Sequence, residues 1–362
     1  MKKILIVKTS SIGDVIQAFP VLNYLRWKFP HATIDWMVEK NGYDLLSSHP
    51  ELNEAISIDT KKWRRSLFSK ENRQEIKAFF KRLSQKKYDL LFDLQGNSKS
   101  ALFTMMANAK EKVGYGFQSV PEKPNLLATK QRFNISPMLN VQVGYLQLVQ
   151  RYFNDADPFV WKGIQLKLNE MEEKRMHDVF QSQEKKPIFM ICFGSYWSNK
   201  RLTEETLVAF LKLIDQQFSP SFLFIFGNEE EKRIATSLEN LFPKRGKALG
   251  ELSLCLWQRI MGKVDCVFTM DSASLHLCAT TSTPSFSVFG PSSSLVYKPI
   301  GEHHRAFQGV CPYSKTFDKR CPILRTCETG ACMKELNAHS IFKAFSDFRK
   351  CISNDSEQRI DP

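Results

Sequence analysis

The chain has 362 residues, of which 43% are hydrophobic, and this size and composition predict two globular domains. Its formal net charge of +13 predicts a surface that attracts polyanions. No stretch approaches the roughly 20 consecutive apolar residues of a membrane-spanning helix, and the N-terminal apolar run is too short for a secretory signal. We therefore expect a cytoplasmic protein.

Short apolar runs alternate with amphipathic stretches, which is typical of α/β domains with parallel sheets. In the first half, strands are predicted over residues 4–7, 34–38, 55–58 and 90–94. A helix is predicted over residues 15–29, with a kink at Pro20 and an end at Pro30. Further strands follow the polar stretch at residues 181–187, in PIFMICFG, FLFIFG, DCVFTMD and SFSVFG.

Two such sets predict two doubly wound domains facing one another, over residues 1–180 and 181–340, followed by a C-terminal helix and tail over 341–362. Ligands of open parallel sheets bind beyond the carboxyl ends of the strands. Functional residues are therefore expected in the segments directly after the strands: 9–14, 93–100, 194–200, 227–231, 271–276 and 290–293. Since the chain has no GxGxxG, Walker A, HExxH or GxSxG motif, the usual dinucleotide, P-loop, zincin and hydrolase interpretations lose their main support.

Residues 61–87 form a strongly basic segment. It carries eleven Lys or Arg against Glu71 and Glu75, with aromatic residues interleaved at Trp63, Phe68, Phe79 and Phe80. One interpretation is a solvated helix face whose aromatic side chains turn to the core. The other is a patch for phosphates of lipid headgroups or for another anionic acceptor.

Eight of the nine cysteines fall into two groups, and the ninth is Cys351 near the C-terminus. Cys192, Cys255, Cys266 and Cys278 lie in apolar runs and are interpreted as core residues. Four others lie close together late in the chain, at Cys311, Cys321, Cys327 and Cys332. Their spacing contains no CxxC pair and matches no standard zinc module, so a loop of reduced thiols is favoured over a bound metal, which stays open.

Several blocks of the sequence resemble one family when taken in order. KILIVKTSSIGDVIQAFPVLNYLRWKFPHATIDWMVEK resembles the N-terminal signature of the ADP-heptose:lipopolysaccharide heptosyltransferases, glycosyltransferase family 9. DLQGNSKSALF with KVGYGF, FGSYWSNKRLTEE, and FTMDSASLHLCATTSTPSFSVFGPSS are similar to its later blocks. Two positions depart from the family pattern: Ala273 replaces a usual Gly and Cys278 a usual Ala, changes expected to reshape the nucleotide pocket.

The resemblance implies the GT-B architecture, in which two Rossmann-like domains, one for the acceptor and one for the donor, face each other across a cleft. It also implies an inverting, metal-independent transfer of L-glycero-D-manno-heptose to the inner core of lipopolysaccharide, with ADP-heptose as a substrate and no cofactor. The acceptor would be an acidic lipid-linked saccharide at the inner leaflet. The protein would then be peripheral to the inner membrane, in contact with it through residues 61–87.

An inverting transfer needs one base for the acceptor hydroxyl and polar groups that hold the departing diphosphate. The family's Gly-Asp pair matches Gly13 and Asp14, which makes Asp14 the predicted catalytic base. Gly13 would let the loop approach the acceptor without a Cβ in the way. The alternative for Asp14 is a helix cap, a common role for Asp at a helix start.

The remaining site residues follow from the resemblance and from their places at strand ends. Lys200 is expected to bind the donor's phosphates with help from Ser195, and the backbone N–H groups of residues 272–275 are expected to face an anion. Asp271 is assigned to the sugar hydroxyls, His276 to the phosphate region, and Glu229 or its neighbour Glu230 to the ribose. Ser272, next to Asp271, is assigned to donor binding. The predicted acceptor contacts are Lys8, Gly13, Asp93, Gln95 and Lys99.

Two alternatives remain open at this point. One keeps the donor but uses a protein acceptor, as in the Cys-rich, iron-binding heptosyltransferases that act on autotransporters. The other is a non-catalytic binder of anionic lipid or nucleic acid built on a degenerate transferase fold. Because the chain has no recognisable nucleic-acid motif, we expect no nucleic-acid partner.

Overall fold

The computed structural model describes residues 1–66, 69–181 and 187–357. Phe68, most of the predicted polar stretch and the last five residues of the predicted tail lie outside this range. The chain divides into two compact units, Met1–Lys167 and the part from Leu168 onward. The division precedes the predicted boundary at residue 180, because the helix at residues 170–181 packs on a helix of the second unit.

The first domain is an α/β unit with one six-stranded sheet. Its strands are β1 (Lys3–Val7), β2 (Thr33–Glu39), β3 (Glu54–Ile58), β4 (Lys87–Asp93), β5 (Asn108–Tyr115) and β6 (Gln131–Phe133). Its α-helices are α1 (Ile12–Gln17), α2 (Phe19–Lys28), α3 (Tyr43–Ser47), α4 (Thr60–Arg65), α5 (Lys70–Gln85), α6 (Ser98–Met106) and α7 (Val141–Tyr152), with 3₁₀ helices at Lys40–Gly42 and Lys123–Leu127.

The second domain repeats this plan. Its strands are β7 (Ile188–Cys192), β8 (Ser221–Ile225), β9 (Gly246–Leu249), β10 (Cys266–Met270), β11 (Ser285–Phe289) and β12 (His304–Gln308). Its α-helices are α8 (Glu170–Gln181), α9 (Glu204–Phe218), α10 (Glu229–Leu241), α11 (Leu254–Met261), α12 (Ala273–Cys278), α13 (Ser294–Tyr297), α14 (Ala331–Lys334) and α15 (Ala338–Glu357), with a 3₁₀ helix at Ser198–Lys200.

Both sheets are parallel throughout and share one topology. The first has the order β3-β2-β1-β4-β5-β6, and the second has the equivalent order β9-β8-β7-β10-β11-β12. The strand order therefore reverses between β1 and β4 in one sheet and between β7 and β10 in the other. These are the switch points at which doubly wound sheets bind ligands. The predicted α/β class with two doubly wound domains is confirmed.

Local sequence explains the main elements. The central strands are continuous apolar runs, as in β1, where residues 4–7 are fully buried, because helices cover both faces of a parallel sheet. The helix predicted over residues 15–29 is interrupted at Ala18. Pro20 occupies the first turn of α2, where a missing N–H costs least, so the predicted kink is a break between two helices.

Helices α4, α5 and α6 pack on one face of the first sheet. Trp63, Phe79 and Phe103 belong to a single core cluster with β1 and β4 residues. In the second domain, α15 buries Ile341, Phe345 and Phe348 in the core beside α9, so the predicted C-terminal segment is part of that domain. No helix in the described part of the chain has the length and apolar character needed to cross a bilayer.

Candidate functional site

The loop after β1 is held in place by a residue from the loop after β4. The side-chain oxygen of Gln95 accepts hydrogen bonds from the backbone N–H groups of Thr9 (3.0 Å) and Ser10 (3.1 Å). This joins the two loops that flank the switch point of the first sheet. Gln95, predicted as an acceptor contact, thus positions the β1 loop through its oxygen.

Asp14 lies in the first turn of α1 and is half-buried. One of its carboxylate oxygens, Oδ2, accepts hydrogen bonds from Ser11 N–H (3.1 Å) and from Ser11 Oγ (2.7 Å), which forms a capping box. The capping role weighed against catalysis is therefore present. These bonds come from one residue and fix the carboxylate's orientation, which a base also requires. Gly13 precedes Asp14 within the same helix.

Lys8 is buried, whereas a lysine at the end of a strand is commonly solvated. Only 4% of the residue is exposed, and its Nζ lies 4.8 Å from the centroid of the Tyr145 ring. Burial lowers the pKa of the ammonium, and the carboxylates of Asp14 and Asp93 partly oppose this. Within the described residues, Lys8 Nζ makes no hydrogen bond and no ion pair.

Asp93 is fully buried at the end of β4. Its Oδ1 accepts from the N–H groups of Gln95 and Gly96, both at 2.9 Å, and its Oδ2 accepts from Thr104 Oγ1 (3.0 Å) and Asn125 Nδ2 (2.7 Å). Gly96 adopts φ +70°, in the region that favours glycine, and completes the turn. This geometry favours a positioning role for Asp93 over the predicted direct contact with an acceptor.

Lys99, another predicted acceptor contact, already has a carboxylate partner. Its Nζ lies 2.7 Å from Glu39 Oε1, and about 30% of the lysine side chain is exposed. Glu39 ends β2 and also accepts a hydrogen bond from Thr60 N–H, at 3.2 Å. An acceptor that bound Lys99 would have to compete with Glu39 for it.

The second sheet brings a cation and a carboxylate together at its switch point. Lys200 follows β7 and Asp271 follows β10, and their side chains form a buried ion pair between Nζ and Oδ2. Each residue is only 7% exposed. The two residues assigned from sequence to the phosphates and to the sugar therefore contact each other.

Three other predicted donor residues lie in segments that follow β7 and β10, as this pair does. Ser195 is buried, and its carbonyl accepts from Arg201 Nε at 2.6 Å. Ser272 is the N-cap residue of α12, and its hydroxyl lies 2.6 Å from Ser274 Oγ. His276 lies on α12 and is also buried. All three therefore stand at the end of the sheet that carries Lys200 and Asp271.

The two departures from the family pattern, at residues 273 and 278, differ in placement. Ala273 is partly exposed at the start of α12, next to Asp271 and Ser272. Cys278 is fully buried, and its Sγ contacts the carbonyl of Thr283. The substitution at Cys278 therefore changes the core and not the lining of a nucleotide pocket.

Among the three adjacent glutamates of α10, the third is the inward-facing one. The side chain of Glu229 is 90% exposed, and that of Glu230 is 65% exposed and pairs with Arg201 at 2.9 Å. Glu231 is 8% exposed and accepts from Gly227 N–H at 2.8 Å. A Cβ on Gly194 would lie 2.4 Å from Glu231 Oε1, so this carboxylate abuts the loop after β7. Sequence reasoning missed Glu231.

The basic segment at residues 61–87 separates into two faces. Trp63 and Phe79 are each 8% exposed and belong to the core, as the first interpretation predicted for the aromatic residues. Lys62 pairs with Glu75, which also accepts from Trp63 Nε1 at 3.1 Å. The basic residues of α5 are exposed, so the segment retains a cationic outer surface.

The four late cysteines are partly exposed thiols. Hydrogen bonding from Gly330 N–H lowers the pKa of the Cys327 thiol, whereas burial raises the pKa of Cys332 to about 11. Among the described residues, no group of three or more His, Cys, Asp or Glu side chains is arranged to hold a metal ion. Asn199 Nδ2 donates to the carbonyls of Leu324 (2.7 Å) and Cys327 (3.0 Å), so this segment supports the loop that carries Lys200.

Comparisons with known proteins identify the family. The model of glycosyltransferase family 9 (heptosyltransferase) matches residues 76–326, which is more than half of the chain. The chain belongs to glycosyltransferase family 9. The resemblance drawn from the sequence blocks is thereby confirmed, and the non-catalytic alternative loses its support.

Curated relatives cover most of the chain. Lipopolysaccharide heptosyltransferase 1 of Pseudomonas aeruginosa is 24% identical over 313 residues, which cover 80% of this chain and 79% of the relative. Lipopolysaccharide heptosyltransferase 2 of Salmonella typhimurium is 24% identical over 327 residues, with coverages of 86% and 90%.

A solved structure shows the same fold. The E. coli heptosyltransferase WaaC with ADP aligns with a TM-score of 0.76 at 21% identity, over 96% of this chain and 99% of its own. At this identity the likeness concerns the fold, and it agrees with the GT-B class predicted from the sequence.

Proposed function

We propose that this chain is an inverting heptosyltransferase that transfers L-glycero-D-manno-heptose from ADP-heptose to the inner core of lipopolysaccharide. The observation that carries the proposal is the division of polar groups between the two switch points: an oriented carboxylate, Asp14, in the first domain and the buried Lys200–Asp271 pair in the second. Family membership and curated relatives named lipopolysaccharide heptosyltransferases support it.

The second domain would hold the donor. As the bond from the anomeric carbon to the diphosphate oxygen breaks, negative charge grows on the ADP leaving group, and Lys200 is placed to offset it. A phosphate that binds Lys200 competes with Asp271 for the ammonium, which would release Asp271 to accept hydrogen bonds from sugar hydroxyls. Glu231, buried against the loop after β7, is a better candidate for the ribose than Glu229.

The first domain would supply the base. The acceptor hydroxyl attacks the anomeric carbon from the side opposite the diphosphate, which inverts the configuration, and Asp14 takes the hydroxyl proton. A positioned base contributes typically 10²–10⁴-fold to such a step. Since Lys200 carries the charge compensation for the leaving group, we propose that the transfer proceeds without a metal ion.

The cations of the first domain fit an acidic, lipid-linked acceptor. Lys8 is a buried ammonium without a hydrogen-bond partner among the described residues, in electrostatic reach of Asp14, and would bind an acidic group of the acceptor saccharide. The basic outer face of α4 and α5 would attract the anionic inner leaflet, at roughly 1 kcal/mol for each Lys or Arg near the surface. The protein would thus act at the cytoplasmic side of the membrane as a peripheral enzyme.

A two-substrate assay tests the proposal. Purified protein is incubated with ADP-heptose and either a Kdo-terminated or a monoheptosylated core acceptor, with ADP-glucose as the control donor and with EDTA in a parallel set. We expect ADP release and a new glycosidic bond of inverted configuration by NMR, unchanged by EDTA. Donor binding without ADP formation on either acceptor would contradict the proposal, and transfer to a protein acceptor would favour that alternative.

A further inference from the structure

Helix α6 presents an apolar stripe to the exterior. Leu102, Met105 and Met106 follow the i, i+3, i+4 spacing of one helix face and are 47%, 47% and 44% exposed. The opposite face of the same helix carries Ala101 and Phe103, which are buried in the core. Helix α6 is therefore apolar on both faces, unlike a surface helix with a polar outer side.

The neighbouring 3₁₀ helix adds a further exposed leucine next to α6. The segment Lys123–Leu127 packs against α6 and is fixed to its start by Asn125, whose Nδ2 donates to Asn97 O at 3.1 Å. Leu127, at its end, is 81% exposed. We refer to Leu102, Met105, Met106 and Leu127 as the α6 patch.

Cations border the α6 patch. Lys112 Nζ donates to the carbonyl of Met105 at 2.9 Å. Burial lowers the pKa of Lys112, and electrostatic repulsion from the nearby Lys130 lowers it further. Arg132 donates through Nη2 to the carbonyl of Leu126 at 2.5 Å. Lys123 lies over the ring of Phe117, itself 68% exposed, at 3.7 Å from the ring centroid.

The patch belongs to the same helical layer as the basic segment. The rings of Phe80 on α5 and Phe103 on α6 stack with centroids 5.7 Å apart, and Trp63 on α4 packs against both. Trp63, Phe79 and Phe80 of the basic segment therefore pack inward, where they join these helices. Exposed apolar groups in this layer come instead from α6, a position that sequence reasoning did not assign.

We propose that the α6 patch and its cationic border dock the first domain on an anionic lipid bilayer. Apolar side chains would enter the headgroup region while the surrounding Lys and Arg contact lipid phosphates, the combination by which peripheral proteins bind reversibly. Helix α6 begins next to the β4 loop and spans roughly 13 Å at 1.5 Å per residue. A saccharide anchored in that bilayer lies within reach of the strand ends, so this inference rests on the proposed lipid-linked acceptor.

Vesicle cosedimentation of the full-length protein tests the docking surface without any substrate. Wild type is expected to bind phosphatidylcholine vesicles containing phosphatidylglycerol, and bind pure phosphatidylcholine weakly. Leu102→Ser/Leu127→Ser should lower the partition coefficient about tenfold or more, since each substitution removes apolar surface that leaves water on binding. Lys123→Glu/Lys130→Glu should weaken binding to the anionic vesicles alone.

A matched control separates docking from a general loss of exposed apolar groups. Leu295 and Val310 of the second domain are 83% and 79% exposed, and Leu295→Ser/Val310→Ser should bind like wild type. Equal binding of the α6 pair and wild type, or equal loss in the control pair, would overturn the proposal. So would a wild-type dimer, seen by analytical ultracentrifugation, that the α6 pair converts to monomer, because the patch would then join two copies.

Activity measured on the α6 pair distinguishes this inference from the proposed function. With a detergent-free, water-soluble acceptor the pair should turn over like wild type, and with the acceptor embedded in vesicles it should be slower. Failure of wild type to use any core acceptor would count against the proposed function, while its vesicle binding would still report on the α6 patch.

Discussion

The two sheets share one topology but arrange charge differently at their switch points. In the second domain, Lys200 and Asp271 meet in a buried ion pair. In the first, Lys8 has no ion-pair partner among the described residues, and Asp14 is held by the neutral groups of Ser11. The same scaffold thus keeps a paired site in the second domain, suited to exchanging a carboxylate for a phosphate, and a first-domain site whose carboxylate is oriented by a serine, suited to proton transfer.

The largest expected effect comes from removing the carboxylate of the first-domain site. Asp14→Asn keeps the side-chain shape and its acceptor oxygen for Ser11 but cannot take a proton, so kcat should fall about 10³-fold or more. Steady-state ADP release measures this. Ser11→Ala is the control: it removes one hydrogen bond of the capping box, and should cost about 1 kcal/mol of unfolding free energy with a much smaller loss of kcat.

The paired site should respond to charge balance. Lys200→Met leaves Asp271 buried without its cation and should lower the free energy of unfolding by about 3–5 kcal/mol in urea titration. In Lys200→Met/Asp271→Asn the buried charge is gone, so most of that stability should return while turnover stays low. Recovery of activity in the double variant would show that the pair is only structural.

Substitution of the α10 glutamates should have a smaller effect, on the KM for the donor. Glu231→Gln should raise the KM for ADP-heptose about tenfold, the loss of roughly 1.4 kcal/mol from a charged hydrogen bond. Glu229, which is mainly solvent-exposed, is the matched control, and Glu229→Gln should stay within about twofold. Initial rates at varied donor concentration give both values. Equal KM values for the two variants would contradict the assignment of the ribose to Glu231.

The smallest effect concerns the cation of the first-domain site, Lys8. In Lys8→Met no ammonium favours the ionised form of Asp14, so the acid limb of kcat/KM should move to higher pH, by about one unit or less. Lys8→Arg keeps the charge and should retain the wild-type limb. A pH profile of kcat/KM that is identical for wild type and Lys8→Met would show that Lys8 does not influence the ionisation of the base.

Much of the fold follows from apolar runs in the sequence. The central strands β1, β2, β4, β7, β8, β10 and β11 are buried and strongly apolar, and their prediction is confirmed. Strands β5, β6, β9 and β12 were not predicted. These strands lie at the edges of the two sheets or next to an edge. Among them, β5 (Asn108–Tyr115) is largely polar and β6 (Gln131–Phe133) has only three residues. Polar or short edge strands leave little periodicity to detect.

The sequence predicts the location of the candidate site better than it predicts the contacts within it. Strand ends indicated Asp14, Lys200 and Asp271, but no pattern shows that a lysine and an aspartate 71 positions apart will pair. Glu231 left a usable signal. Asn228 caps α10 and accepts a hydrogen bond from Glu231 N–H at 2.9 Å. An Asn after a strand and a glycine is a recognisable N-cap, and the third residue after it, here Glu231, is the one that turns inward.

The central claim is that the first domain supplies the base and the second holds the donor. Calorimetric ADP binding and ADP release, measured on the same preparations of wild type, Asp14→Asn and Lys200→Met, test it most directly. The account predicts that Asp14→Asn binds ADP as wild type does without turning over, and that Lys200→Met loses most of its ADP affinity. If Asp14→Asn turned over at the wild-type rate, or lost as much ADP affinity as Lys200→Met, the division of labour would be contradicted.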